Sequence, residues 1–137
     1  MSVVIRQVDY YTVEVPDVPG EGFRILSSLL QSGVSLAAYC GFPVAGGRSQ
    51  IDFVPRDPSA FPNASAGLGV KFSGPKRAFL AQGQEQLGEI LDVVGRISNE
   101  EINIVGVQAV CSGSGPWGML VWVKPAMVEK AARALGL

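Results

Sequence analysis

A glycine-rich segment, DVPGEGFRIL at residues 17–26, has the residue types and spacing that best suit a binding site. It follows the alternating run YYTVEV and precedes an apolar stretch with helical spacing. The first turn of a helix leaves its amides without intrahelical acceptors, so a glycine-rich turn between a strand and a helix can hold an anion. The same glycines also suit a plain turn, because glycine tolerates backbone geometries that other residues avoid.

Nucleotide binding is disfavoured at this loop. A phosphate loop of the Walker type needs Gly-Lys-Ser/Thr, so that the lysine meets the phosphates and the hydroxyl meets magnesium. A dinucleotide fingerprint needs three spaced glycines and an acidic residue about 20 positions later. The segment has neither the lysine nor the third glycine.

The composition excludes several kinds of site. The 137 residues include no histidine, which removes Ser-His and Cys-His nucleophiles and the commonest zinc ligand. A net charge of −1 without a basic cluster argues against nucleic-acid binding. Cys40 and Cys111 lack metal-ligand spacing and are expected to be buried, reduced thiols. We expect a protein that is not an enzyme, with no catalytic residues, no metal and no cofactor.

The chain also lacks the usual signals for membranes and export. No run of 18 apolar residues occurs, and the N-terminal MSVVIRQVDYY has neither a basic start nor a small-residue cleavage site. We expect a cytoplasmic protein with no membrane partner.

An internal repeat runs through the chain. Residues 19–36 align with 87–104 at a shift of 68 (88 − 20), because Gly20 meets Gly88 and the apolar positions coincide. Residues 58–70 align with 125–137 at a shift of 67 (125 − 58). The glycine, proline and Leu-Gly positions fall in step as well, so duplication explains the pattern better than chance. We divide the chain into a first repeat, residues 1–74, and a second repeat, residues 75–137.

Each repeat is predicted to alternate strands and helices. In the first repeat the strands lie at 8–15, 34–40, 49–54 and 69–73. One helix lies at 20–32, with apolar residues at 23, 26, 29 and 30, and a second begins at Pro58. In the second repeat the strands lie at 77–83, 102–110 and 119–123, with helices at 88–99 and 125–135. The N-terminal residues 2–6 are expected to supply its missing last strand. The order predicts an α+β, ferredoxin-like (βαββαβ) fold with antiparallel sheets.

The segments VEVPDVPGEGFRILSSLLQSGVSL and LAQGQEQLGEILDVVGRISNEEINIVGVQAV resemble the ACT domain, a small-molecule-sensing module often attached to enzymes of amino-acid metabolism. The ending WGMLVWVKPAMVEKAARALGL is similar to the last strand and helix of that family. The resemblance covers nearly the whole chain, as a stand-alone tandem pair of ACT-like repeats. It implies a regulatory module that binds an amino acid or similar small metabolite and passes its occupancy to a partner enzyme of amino-acid metabolism.

The resemblance implies ligand-binding residues in both strand-helix loops and beside the second strands, where family ligands often meet the neighbouring subunit. The glycines would bring N–H groups to a bound carboxylate, and the acidic residues would accept an ammonium group. The implied residues are Asp17, Val18, Pro19, Gly20 and Ser35 in the first repeat, and Glu85, Gln86, Leu87, Gly88 and Asn103 in the second. Leu87 departs from the Pro or Arg that the family usually has before the glycine.

The expected association is a homodimer, since a half-exposed sheet with aromatic residues can pair through an edge or a face with a second copy. One alternative keeps this association without the ligand. In that case the chain is a structural or protein-interaction module, and the glycines only turn the backbone.

Overall fold

The computed structural model describes residues 3–84 and 86–137, without the side chains of residues 86 and 87. The chain has an α+β fold divided into two compact units. The first unit is Asp9–Lys76, and the second unit combines Met1–Val8 with Arg77–Leu137. No helix among the described residues is long and apolar enough to cross a membrane.

The two halves of the chain have the same succession of elements. The first half has β1 (Val4–Pro16), α1 (Glu21–Gln31), β2 (Leu36–Val44), β3 (Arg48–Pro55), a 3-10 turn (Pro58–Ala60) and α2 (Phe61–Ser65). The second half has β4 (Phe72–Gly83), α3 (Gln86–Asn99), β5 (Ile104–Cys111), β6 (Trp117–Val123), a 3-10 turn (Pro125–Met127) and α4 (Val128–Ala134).

Strands β1 and β4 each contribute to both units. The strand order in the first unit is β2-β3-β1-β4, with residues 72–76 of β4 at the end. In the second unit the order is β5-β6-β4-β1, with residues 4–8 of β1 at the end. The N-terminal strand therefore supplies the strand that the C-terminal sequence lacks, and each unit is ferredoxin-like.

Strand pairing repeats with an offset of 68 residues. Tyr11 pairs with Phe53 in the first unit, and Phe79 pairs with Val121 in the second (79 − 11 = 121 − 53 = 68). Both hairpins also have a register shift at the same point, between Leu36 and Ala38 in β2 and between Ile104 and Gly106 in β5. Residues 68 positions apart in the strands are therefore structurally equivalent, which confirms the duplication.

Each unit has its own apolar core between its sheet and its helices. In the first unit alternate residues of β1 pack against α1 and α2, and the central members are Val13, Val15, Ile25, Leu29, Phe53 and Phe61. In the second unit the corresponding members include Phe79, Ala81, Val93, Ile97, Met119 and Ala131. The C-terminal helix is buried through Ala131, Ala132 and Leu135, as its spacing predicted.

Two local predictions were wrong. The separate strands at 69–73 and 77–83 are one continuous strand, β4, with Gly74 and Pro75 inside it. Pro75 lies in the half of β4 that ends the sheet of the first unit, where a missing N–H is tolerated. In α1 the buried residues are Ile25 and Leu29, whereas Phe23 is 76% exposed. Of the four apolar positions predicted for this helix, Leu29 lies in the core and Leu26 packs against it, whereas Phe23 and Leu30 are exposed.

Candidate ligand site in the first unit

A cavity of about 240 Å³ lies in the first unit, where β1 ends and α1 begins. Its lining comes from the end of β1, the first turn of α1, the edge strand β2 and the adjoining strand β3. The lining is mixed: a carboxylate, a hydroxyl and a phenol lie among apolar side chains. The residues used below are Val15, Glu21, Gly22, Tyr39, Phe42 and Ser49.

Helix α1 begins without a side-chain cap beside this cavity. Gly20 is its N-cap, with φ +96° and ψ −19°, a left-handed conformation that favours glycine. The Arg24 N–H donates to the Gly20 carbonyl at 2.9 Å, which is the first helical hydrogen bond. The amides of Gly22 and Phe23 therefore have no acceptor within the helix. Since Gly22 lines the cavity, an anion there would meet the positive end of an 11-residue helix.

Asp17 holds the loop in place rather than lining the cavity. Its backbone N–H donates to the Gly47 carbonyl at 2.9 Å, and its Oδ1 accepts the Ser49 hydroxyl at 2.8 Å. These bonds join the β1–α1 loop to the β2–β3 turn. Among the other loop residues, Val18 lines the cavity, and Pro19 is exposed.

Glu21 is the carboxylate at the cavity. It pairs with Arg24 at 3.3 Å, and both side chains are partly exposed, so the pair contributes less than about 1 kcal/mol to stability. An exposed pair of this kind can rearrange, which leaves Glu21 able to accept an ammonium group. Glu21, four residues beyond Asp17, is thus the carboxylate that lines this cavity.

A larger groove of about 630 Å³ lies on the other side of the same loop and shares Val15, Pro16 and Glu21 with the cavity. Three cations line it, Arg24, Arg48 and Lys71. The two guanidinium groups are held by backbone carbonyls, Arg24 by Leu68 at 3.1 Å and Arg48 by Glu14 at 2.9 Å. This groove is a competing location for an anionic ligand.

The second unit presents a different arrangement at the equivalent loop. Gly88 lies inside α3 (Gln86–Asn99), so it does not form the turn that Gly20 forms. The backbone of Gln86 and Leu87 belongs to the same helix, and their side chains lie outside the described part, as does Glu85 altogether. The predicted equivalence of the two glycines as turn residues is therefore wrong: α3 starts earlier relative to its strand than α1 does.

Ser35 and Asn103 lie away from the loops of their own units. Both are exposed and precede the second strand of their unit, whereas the cavity lies near the other end of β2. Seven residues separate Ser35 from Phe42, roughly 23 Å of strand at about 3.3 Å per residue. Within one chain the structure does not bring Ser35 to the cavity.

The two cysteines differ in exposure: Cys111 is exposed, contrary to the expectation of a buried thiol, and Cys40 is partly buried. Cys40 is half-buried opposite Asp52, and burial, followed by the Asp52 carboxylate, raises the pKa of its thiol. A raised pKa keeps the thiol protonated and weakly nucleophilic. Asp52 is itself buried and accepts the Thr12 hydroxyl at 2.7 Å. Among the described residues no group of three or more Cys, Asp and Glu side chains could hold a metal ion.

Sequence reasoning missed the cavity residues outside the loop, chiefly Gly22, Tyr39 and Ser49. Tyr39 and Ser49 lie on β2 and β3, and only the strand register brings them beside the start of α1. One signal was present in the repeat alignment, where the second glycine of PGEG meets Ile90. A difference between otherwise matching repeats marks a position where their roles diverge.

Comparisons with known proteins support the fold. No family model and no curated protein matches the sequence. Protein BT0572 from Bacteroides thetaiotaomicron superposes with a TM-score of 0.75 at 12% identity, over 96% of this chain and 88% of that one. The regulatory subunit of aspartate kinase from Thermus thermophilus, in a ligand-free form, gives 0.60 at 16% identity, over 98% and 94%. The alpha and beta subunits of an aspartokinase give 0.61 at 17% identity, over 98% and 95%.

These neighbours include regulatory parts of enzymes, and they match nearly the full length of this chain. Their superposition over nearly the whole of both chains supports the α+β fold described above. The chain therefore has the tandem ACT-type fold that its sequence resembles.

Proposed function

We propose that the protein is a non-catalytic regulatory module that binds an amino acid or similar small metabolite in the cavity of the first unit. The observation that carries this proposal is the cavity itself, which lies against the uncapped start of α1 with Glu21 beside it. The loop prediction at residues 17–20 pointed to this end of the unit.

The size and chemistry of the cavity suit a free amino acid. A volume of about 240 Å³ equals roughly eight water molecules at about 30 Å³ each, which fits a small amino acid. The amides of Gly22 and Phe23 would receive its carboxylate, and Glu21 would receive its ammonium group. The apolar lining from Val15 and Phe42 would favour a short, uncharged side chain.

The regulatory part of the proposal rests on fold likeness. The aspartate kinase neighbour is a regulatory subunit, so we propose that this chain acts in the cytoplasm on a partner enzyme of amino-acid metabolism. The ligand would act by stabilising one of two arrangements of the complex, in proportion to its difference in affinity for them.

A homodimer through the β2 edge is part of the same proposal. Tyr39 and Phe42 line the cavity and are also exposed on an edge strand, so a second copy there would cover the cavity. Antiparallel pairing of two β2 strands, centred between Ala38 and Tyr39, would place Ser35 of the partner subunit opposite Phe42. This arrangement would bring Ser35 to the ligand, which a single chain does not do.

The dimer is tested by placing a charge on the edge. Phe42→Lys should convert the dimer to monomer in sedimentation velocity at tens of micromolar, because a lysine on an edge strand opposes pairing. The matched control is Val110→Lys on β5, the equivalent position (110 − 42 = 68), which should leave the dimer intact. A monomeric wild type, or dissociation by Val110→Lys alone, would contradict the proposed interface.

Ligand binding is tested by a thermal-shift screen against the twenty amino acids. A ligand present at one hundred times its dissociation constant adds about 2.7 kcal/mol to the stability of the folded state. For a chain of this length the melting temperature should rise on the order of 10 °C. A flat screen would instead favour the interaction module without a ligand.

A further inference from the structure

The second unit differs from the first in the size of the side chains at the cavity-lining positions. Because the strands repeat with an offset of 68, and the helices follow the same alignment, each lining residue has a defined counterpart. Some counterparts are smaller, such as Val107 for Tyr39. Others are larger, among them Ile90 for Gly22, Ala109 for Gly41 and Trp117 for Ser49.

Trp117 spans the space that is open in the first unit. Its Nε1–H donates to Glu89 Oε1 at 2.8 Å. Glu89 is the counterpart of Glu21, and Trp117 of Ser49, so both residues hold cavity-lining positions. The indole therefore extends from β6 to the first turns of α3. Trp117 is 3% exposed and Glu89 is 5% exposed, whereas Glu21 and Ser49 are only half-buried.

The carboxylate beside the indole is held by the backbone as well. Glu89 Oε1 accepts a second hydrogen bond, from the Gln84 backbone N–H at 3.0 Å, which fixes the carboxylate against the end of β4. At Gly83, the counterpart of Val15, an added Cβ would overlap Glu89 Oε1 and lie 2.6 Å from Trp117 Nε1. A side chain at position 83 would therefore displace the indole or the carboxylate, because these two groups occupy the adjoining volume.

We propose that Trp117 and Glu89 close the strand-helix site of the second unit, so that the chain binds one ligand molecule, in the first unit, and none at the second loop. The binding of one ligand molecule rests on the proposed function. The closure of the second site rests on the contacts of Trp117 and Glu89. Glu89 is then a buried structural carboxylate, although it occupies the position of the ligand-facing Glu21. The two units therefore differ in function: the first binds the ligand, and the second has a structural role only.

The stoichiometry of binding tests the division. Isothermal titration of each of the twenty amino acids should give one molecule per chain for those that bind. Gly22→Ile introduces into the first unit the residue that the second unit has at the equivalent position. This variant should show no heat of amino-acid binding. A stoichiometry of two molecules per chain would overturn the inference, and so would one molecule bound per chain of Gly22→Ile. Either result would still establish ligand binding itself.

A second measurement tests the closure without any ligand. In a Trp122→Phe variant the fluorescence comes from Trp117 alone, because the chain has two tryptophans. Acrylamide should quench this emission several-fold less than that of free tryptophan, since the indole is buried and hydrogen-bonded. Quenching as efficient as for an exposed indole would refute the closure. If no amino acid binds, the proposed function fails, but the quenching experiment still decides whether Trp117 closes the second site.

Discussion

Replacing Phe61 with alanine is expected to lower the free energy of unfolding by about 3–5 kcal/mol. Phe61 is fully buried, and its ring stacks on Tyr11 with centroids 4.2 Å apart. It also meets Phe72 edge-on at 5.2 Å and Phe53 at 6.1 Å. Helix α2 has only five residues, so this side chain is its main anchor to the sheet of the first unit.

Urea denaturation followed by far-ultraviolet circular dichroism measures this effect. Tryptophan fluorescence is unsuitable, because Trp117 and Trp122 both lie in the second unit. Phe23→Ala is the control: its side chain is 76% exposed, so the change in stability should stay within about 0.5 kcal/mol. A loss below about 1 kcal/mol for Phe61→Ala would show that the aromatic cluster does not hold the first unit together.

The second large effect concerns the ligand. Gly22→Ile should weaken amino-acid binding at least one hundredfold, which lowers the stabilisation by the same ligand concentration from about 2.7 to about 0.4 kcal/mol or less. A Cβ at Gly22 would lie 3.5 Å from the Tyr39 hydroxyl and 3.6 Å from Ile51 Cδ1, ordinary contact distances. The further carbons of isoleucine would then occupy the cavity. The fold should survive, because isoleucine has a higher helix propensity than glycine.

Gly95→Ile is the matched control for this experiment. Gly95 lies within α3, and an added Cβ there meets no atom within 4 Å. The same substitution therefore brings the same gain in helix propensity without entering the cavity. Unchanged binding in Gly22→Ile, or an equal loss in Gly95→Ile, would show that the ligand does not occupy this cavity.

Much of the fold was readable from the sequence. The offset of 68 residues, found from Gly20 and Gly88, holds for the strand register and for a β-bulge in each unit. What the sequence concealed was context. The local sequence at Gly74 and Pro75 predicts the end of a strand, but β4 continues through both residues because they lie at the end of the first unit's sheet. Phe23 has helical spacing, yet spacing does not say which of two apolar strips faces the core.

The site was readable only in part. The loop could be located because glycines between a strand and a helix are a local signal. The cavity beside it could not, since Tyr39 and Ser49 reach it through the pairing of β2 and β3. Nor could Glu21 and Glu89 be told apart, although one is partly exposed with Arg24 and the other is buried under Trp117. Their difference comes from residue 117, 28 positions beyond Glu89.

The most direct test of the central claim is a nitrogen-15 NMR titration of the wild-type protein with each of the twenty amino acids. At least one should shift the backbone amides of residues 15–23, 39–43 and 49–51, with the largest changes at Gly22 and Phe23. The equivalent amides at 83–91, 107–111 and 117–119 should stay unchanged. Shifts centred on Arg48 and Lys71, or no shifts with any amino acid, would contradict the assignment of the ligand site to this cavity.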